Sequence, residues 1–319
     1  MHIFASTNFN DMKVTVIKII YFLIVIAALL GIINSPTALI FGFAFALIFK
    51  NPFKSYSHKA IHYFLKTSVV GLGFGMLIKE TFETSKMGFS LTFYSIVLTV
   101  SLGILLSKLL KLDLKLGYLI TSGTSICGGS AIAAISPIIK ANSKSISVAL
   151  GIVFLLNSIA LFVFPAIGHL LNLSQEQFGF WSAIAIHDTS SVVGAALDYG
   201  EEALRVATTL KLSRALWIIP LSIFTMFFFK TKGEKIKIPY FILLFIIAII
   251  INNYHILPIS ITSLIVLFSK RLLVLTLFIV GSTISITDLK STGLKPILLA
   301  LSLWIFISVF SLIYITTTT

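Results

Sequence analysis

The chain has 319 residues, of which 57% are hydrophobic and only 11% charged. Its apolar runs recur from end to end, which excludes a single soluble core and sets the class as a polytopic, all-α membrane protein. The net charge of +13 would suit nucleic acid, but the lysines fall in short polar stretches beside apolar runs, so they read as topology signals and no nucleic-acid partner is expected.

The runs are continuous and near the roughly 20 residues a spanning helix needs, whereas a β-barrel would alternate apolar and polar residues in segments of roughly ten. Met1 to Asp11 is polar, and Lys13 and Lys18 lead into an apolar run ending near Ile33. A signal peptide would have a shorter apolar core and a small-residue cleavage site, so this run is expected to stay as a first span. Asn34-Ser35-Pro36 then turns into a short second span, Thr37 to Phe49. Lys50, Lys54, Lys59 and Lys66, with His58 and His62 and no acid, make a basic connection. The positive-inside rule places it in the cytoplasm, and the N-terminus with it.

Phe64 to Ile78 carries Gly71-Leu-Gly73-Phe-Gly75. Without a strand before it and a helix after it this is no nucleotide site, and it reads as close helix packing that also lets the backbone bend. A mixed-charge loop, Lys79 to Lys86, precedes a span from Phe89 to Leu106; Lys108, Lys111 and Lys115 against Asp113 mark a second cytoplasmic loop.

The next stretch is Thr121-Ser122-Gly123-Thr124-Ser125-Ile126-Cys127-Gly128-Gly129-Ser130, with Pro137 beyond it. Each glycine costs a helix about 1 kcal/mol and Ser and Thr compete for backbone bonds, so a break is expected. Broken backbone at membrane depth survives only where protein or a water-filled cavity satisfies it, which implies a pocket. The alternative is a small-residue helix interface. Cys127, the single cysteine, excludes an internal disulfide framework.

Asn142 and Ser143 are candidate N-caps for a span from about Ser147 to Leu171, interrupted by Asn157 and Pro165. Ser174-Gln-Glu176 starts a further helix, which leads into Ile186-His187-Asp188-Thr189-Ser190-Ser191-Val-Val-Gly194. Asp188 stands alone among the acids in lying inside an apolar segment, the others falling in connections or at span ends. An unpaired aspartate there costs about 3 kcal/mol even on permissive scales, so it should face a cavity or a partner. His187 can titrate near neutral pH. The structural reading of Asp188 is an N-cap of a half-helix starting at Thr189, which is also compatible with lining a site.

Beyond Asp198, Glu201, Glu202 and Arg205, a span from about Thr208 to Phe229 ends at a third basic loop with Lys230, Lys232, Lys235 and Lys237. The final third resembles the first quarter, with spans at Ile238 to Ile251, Ile259 to Phe268, Leu272 to Ile286 and Pro296 to Ile315, and a small-polar break at Gly281 to Ser285. An internal duplication follows, with halves of about 13–145 and 146–316 in one domain over 1–319, a construction common in transporters.

Gly123-Thr-Ser-Ile-Cys127-Gly128-Gly129-Ser130-Ala-Ile-Ala-Ala with Pro137, Ile186-His187-Asp188-Thr189-Ser-Ser-Val-Val-Gly194-Ala, and the closing Asp288-Leu with its Leu-Lys-Pro resemble the signature segments of the bacterial YeiH-like sulfate exporter family. The resemblance runs over nearly the whole chain. It implies a fold like those of sodium/proton antiporters and bile acid transporters: about ten to twelve spans, inverted repeats, and broken helices crossing at mid-membrane.

The expected function is a secondary transporter in the bacterial inner membrane for a small sulfate-like, organic or sulfonate anion. Thr124, Ser125, Cys127, Gly128, Gly129, Ser130, Thr189, Ser190 and Ser191 are the candidate substrate-binding residues. His187 and Asp188 would couple transport to a proton or cation. Small oxyanions suit half-helix N-termini. No cofactor or metal is expected, and a homo-oligomer is compatible with the sequence. The alternatives are an intramembrane enzyme, with His187 and Asp188 as acid and base and Cys127 or a serine as nucleophile, and an anion channel.

Overall fold

The computed structural model describes residues 2–49, 51–231, 240–283 and 293–318. Among these there is no strand. An apolar chain that has to satisfy its backbone without water does so most simply within each helix. The first group of helices is α1 (His2–Leu30), α2 (Ser35–Phe49), α3 (Lys54–Leu72), a 3-10 turn (Gly73–Gly75) and α4 (Ile78–Leu109). The middle of the chain forms α5 (Leu114–Ser125), α6 (Gly129–Ile138), α7 (Ser143–Leu170), α8 (Gln175–Ala185) and α9 (Thr189–Tyr199). It closes with α10 (Glu201–Ala215), α11 (Ile218–Phe228), α12 (Tyr240–Asn253), α13 (Ile259–Thr283) and α14 (Leu294–Thr318). Among the described residues, five stretches are long and apolar enough to cross a membrane: α4, α7, α10 with α11, α13 and α14.

Several segments expected as loops are helical. α3 starts at Lys54 and α4 at Ile78, so the basic connection through Lys59 and Lys66 and the mixed-charge stretch through Lys86 are turns of helix that carry polar side chains. Lys, Glu and Gln are good helix formers, so hydropathy alone overstates loop length. α10 opens at Glu201, well before the expected start at Thr208, and α7 runs through Asn157 and Pro165 without interruption. Gly281 to Thr283 are still helical, while residue 285 lies outside the described residues, as do Lys50, Lys232, Lys235, Lys237, Ile286 and Asp288.

The helices pack as two groups. In one, α1, α2 and α3 from the start of the chain surround α13, with α12 against α3 and the 3-10 turn. Tyr21, Phe45 and Phe278 meet at its centre, with ring centroids 5.0 Å apart for Tyr21 and Phe278 and 5.4 Å for Tyr21 and Phe45. Glycines let α2 and α13 touch: a Cβ on Gly42 would sit 2.1 Å from the Phe278 carbonyl oxygen, and one on Gly281 would sit 2.4 Å from that of Leu39. Gly71 plays the same part against Ser269, and the chain bends at Gly73–Gly75, so this motif both packs and turns.

The second group holds α4 to α8, α10, α11 and α14 around the largest apolar core. α9 stands between the groups, with α7, α8 and α10 on one side and α2 and α13 on the other. Leu72, Val193, Leu204 and Leu273 form the apolar seam there.

Candidate functional site

The first break is built by glycine. Asp113 caps α5 by accepting from Leu116 N at 2.9 Å, and the hydroxyls of Thr121 and Ser122 donate back to the carbonyls of Gly117 and Tyr118, both at 2.8 Å. The helix stops at Ser125. Gly128 has φ 61° and ψ −117°, a conformation that L side chains rarely adopt. Its N–H donates to the Gly123 carbonyl at 2.8 Å, and α6 starts at the next residue with no side-chain cap.

The second break is built by side chains. α8 begins with a capping box between Ser174 and Gln177 and ends at Ala185. Asp188 then caps α9, accepting from Ser190 N at 3.0 Å and from the Ser190 hydroxyl. Asn157, reaching over from the uninterrupted α7, accepts from His187 N at 3.0 Å and Asp188 N at 3.3 Å. The N-cap role anticipated for Asp188 is therefore present, and Asn157 finishes the cap.

The breaks touch. A Cβ on Gly128 would lie 3.4 Å from the His187 carbonyl oxygen. α10 fastens the two breaks together through a buried pair of cations absent from the sequence-level site. Lys211 Nζ donates to Ile186 O at 2.7 Å, Ala183 O at 3.1 Å and Ile126 O at 3.2 Å. Arg214 donates from Nε and Nη2 to Ser125 O at 3.1 and 2.5 Å, and from Nη1 to Ile184 O at 2.6 Å. Both side chains are wholly buried, and among the described residues neither forms an ion pair with a carboxylate. Their counter-charge is the partial negative charge of the C-terminal ends of α5 and α8, whose last carbonyls lack helical partners.

These two residues correct the reading of every lysine as a topology signal. Lys211 and Arg214 lie three apart on one helix face within a hydrophobic stretch, and the rule that singled out Asp188 singles them out as well. Both fall inside the span expected from Thr208 to Phe229. Asn157 does not interrupt its span; its carboxamide closes the second break.

Of the candidate binding residues, Thr124, Ser125, Cys127, Gly128, Ser190 and Ser191 are buried around the junction, and Gly129 and Thr189 are half-buried. Ser130 is exposed, on a face of α6 shared with Ala133 and Pro137, because α6 turns Ala131, Ile132 and Ile135 into the core instead. His187 is wholly buried and Asp188 half-buried. Four buried polar atoms here have no hydrogen-bond partner among the described residues: Thr124 Oγ1, Asn157 Nδ2 and both ring nitrogens of His187. Buried polar groups are rarely left so. A separate cleft of about 430 Å³, between the 3-10 turn, α12 and α13, includes Asn252, Thr262 and Lys270 in its lining but none of the break residues.

An all-α bundle with several membrane-length helices, two of its other helices broken and fastened back to back, defines an integral membrane protein with a buried polar junction. The chain belongs to the family described as Conserved hypothetical protein 698, whose model matches residues 10–300. This agrees with the family resemblance carried by the two break sequences. Similar relatives are UPF0324 membrane proteins of Photobacterium profundum, 52% identical over 93% of this chain and 91% of the relative, and of Bacteroides thetaiotaomicron, 45% identical over 97% and 96%. Another, from Bdellovibrio bacteriovorus, is 42% identical over 95% of this chain and 94% of its own length. No solved structure matches the chain.

Proposed function

We propose that this membrane protein is a secondary transporter for a small anion and that the junction of the two breaks is its binding site. The observation that carries this reading is the charge inventory of the junction. Two buried cations face two helix C-termini, each worth about half a negative charge. Of the two helix N-termini, each worth about half a positive charge, that of α9 is capped by the one carboxylate, Asp188. With Lys211 protonated beside Arg214, and leaving the imidazole aside, the sum is positive, and the α6 N-terminus has no side-chain cap. A small oxyanion complements such a place.

Thr124, Asn157 and His187 offer uncommitted polar atoms to orient that anion, and Asp188 with His187 supplies the groups that can exchange a proton. An acid–base enzyme would need the imidazole engaged with Asp188 or the Cys127 thiol, and the ring nitrogens bond to neither. The same reading includes the internal duplication, placement in the bacterial inner membrane and a cytoplasmic N-terminus.

The test is flux into proteoliposomes for a panel of sulfate, methanesulfonate and small carboxylates, with and without a pH gradient. Saturable, counterflow-competent uptake of at least one anion is expected. A linear, non-saturating conductance would replace the carrier with a channel, and the absence of flux for every anion would remove transport altogether.

A further inference from the structure

We propose that the Asp188 carboxylate holds the same donors that an oxyanion takes during transport, so that proton binding to Asp188 and anion binding at the α9 N-terminus favour each other and the protein works as a proton–anion symporter. The inference rests on the transport reading above and gives its coupling a sign.

The donors lie at the start of α9. Ser190 N–H and the Ser190 hydroxyl both point at Asp188, at the start of the 11-residue helix α9. Ionised carboxylates and oxyanions are acceptors only, and a single N–H serves one of them well. An anion arriving there must either displace the carboxylate or sit beside it against like-charge repulsion. A proton on Asp188 removes that charge and turns the carboxyl group into a donor that can itself bond the anion.

A second observation marks this helix start as a ligand position. Asn157 is bonded through Oδ1 to the amides of His187 and Asp188, so its Nδ2 is held at the same break, buried and without a partner. Both ring nitrogens of His187, within the break, are likewise buried and unpartnered, as is Thr124 Oγ1 on the facing half-helix. An acid amide, a hydroxyl and one imidazole N–H make a donor set without a full charge, and an oxyanion is the ligand class that uses it.

The charged neighbours of Asp188 are few. Lys211 acts on it from α10, with Arg214 one turn further on, and Cys127 faces it from the first break. α2 has no ionisable residue. On α7, His169 stacks on Tyr199 at the other end of α9, and α8 has its acid, Glu176, in its first turn. On α13, Lys270 is paired with Glu201 and Arg271 lies against Gly31. Asp198, also on α9, is bonded by Asn34. That leaves Asp188, with His187 beside it, to exchange the proton. Linkage is reciprocal: if a proton strengthens anion binding, the anion strengthens proton binding equally.

The experiment uses the full chain. Purified protein is titrated calorimetrically with sodium sulfate, sodium methanesulfonate and sodium acetate across a pH series, and proteoliposomes carry a lumenal pH dye. For an anion that binds, affinity should fall about tenfold per pH unit once Asp188 has lost its proton, and an inward anion gradient should acidify the lumen. Asp188→Asn keeps a capping oxygen; its anion binding should persist, vary less than about twofold with pH, and leave the dye silent. Ser190→Ala should weaken binding at every pH with the slope kept, which holds the proposal testable if Asp188→Asn does not fold. Wild-type binding independent of pH, or protons moving against the anion, would overturn symport. A slope that survives Asp188→Asn, a slope that vanishes in His187→Gln alone, or full affinity in Ser190→Ala would overturn the assignment of the coupling to Asp188 and its donors. If no anion binds or moves, the transport reading fails and this inference with it.

Discussion

The two breaks in this protein end a helix and start another, but they do so by different means. The first relies on backbone freedom, with Gly128 in a conformation that a side chain resists and α6 starting uncapped. The second relies on polar side chains, with Asp188 and Asn157 closing the amides at the start of α9. The first is therefore stiff to substitution and open to a ligand, while the second is closed by groups that can let go. On their carbonyl side the two are alike, since both C-termini are held by the same two cations of α10. A binding site assembled this way has a fixed scaffold and a chemically adjustable half.

Mutation can break the likeness or sharpen the difference. The largest effect is expected where the breaks share support. Arg214→Met would strand the buried carbonyls of Ser125 and Ile184 and should cost about 3 kcal/mol, read as a melting-temperature loss in detergent; a variant as stable as the parent would refute the clamp. Asn157→Leu comes next, orphaning two amides at the second break only, at about 2 kcal/mol. Asn157→Asp keeps the shape and the acceptor and should recover most of that loss, whereas a merely steric role would leave the similarly shaped Asn157→Leu close to the parent.

Gly128→Ala tests the first break. A side chain at φ 61° costs about 1–2 kcal/mol, and the new methyl would press on Val153 at 3.1 Å, so anion flux should fall further than stability does. Asp188→Ala removes only a cap, about 1 kcal/mol, and chemical denaturation should place it below Gly128→Ala. The smallest change belongs to Ser130→Ala. Its exposed position predicts a shift within about 0.5 kcal/mol, and a loss of flux there would return Ser130 to the binding set.

The class of the protein and the places where its helices must break are legible in the residues alone. Hydrophobic content excluded a soluble core, clustered glycines and hydroxyls marked Thr121 to Ser130, and Asp188 inside an apolar run marked the second break, because these are local costs that any fold has to meet. Capping was legible as well: Ser174 and Asn142 cap the helices their positions suggested. How those costs are met depends on packing between distant segments. Whether Lys211 and Arg214 signal topology or hold two helix ends depends on which carbonyls lie within about 3 Å of them, and those carbonyls are some 25 to 89 positions away in sequence. Asn157 likewise means nothing until α7 is laid across the second break. Local propensity can say that a buried backbone group will need a partner; the identity of that partner is a fact of packing.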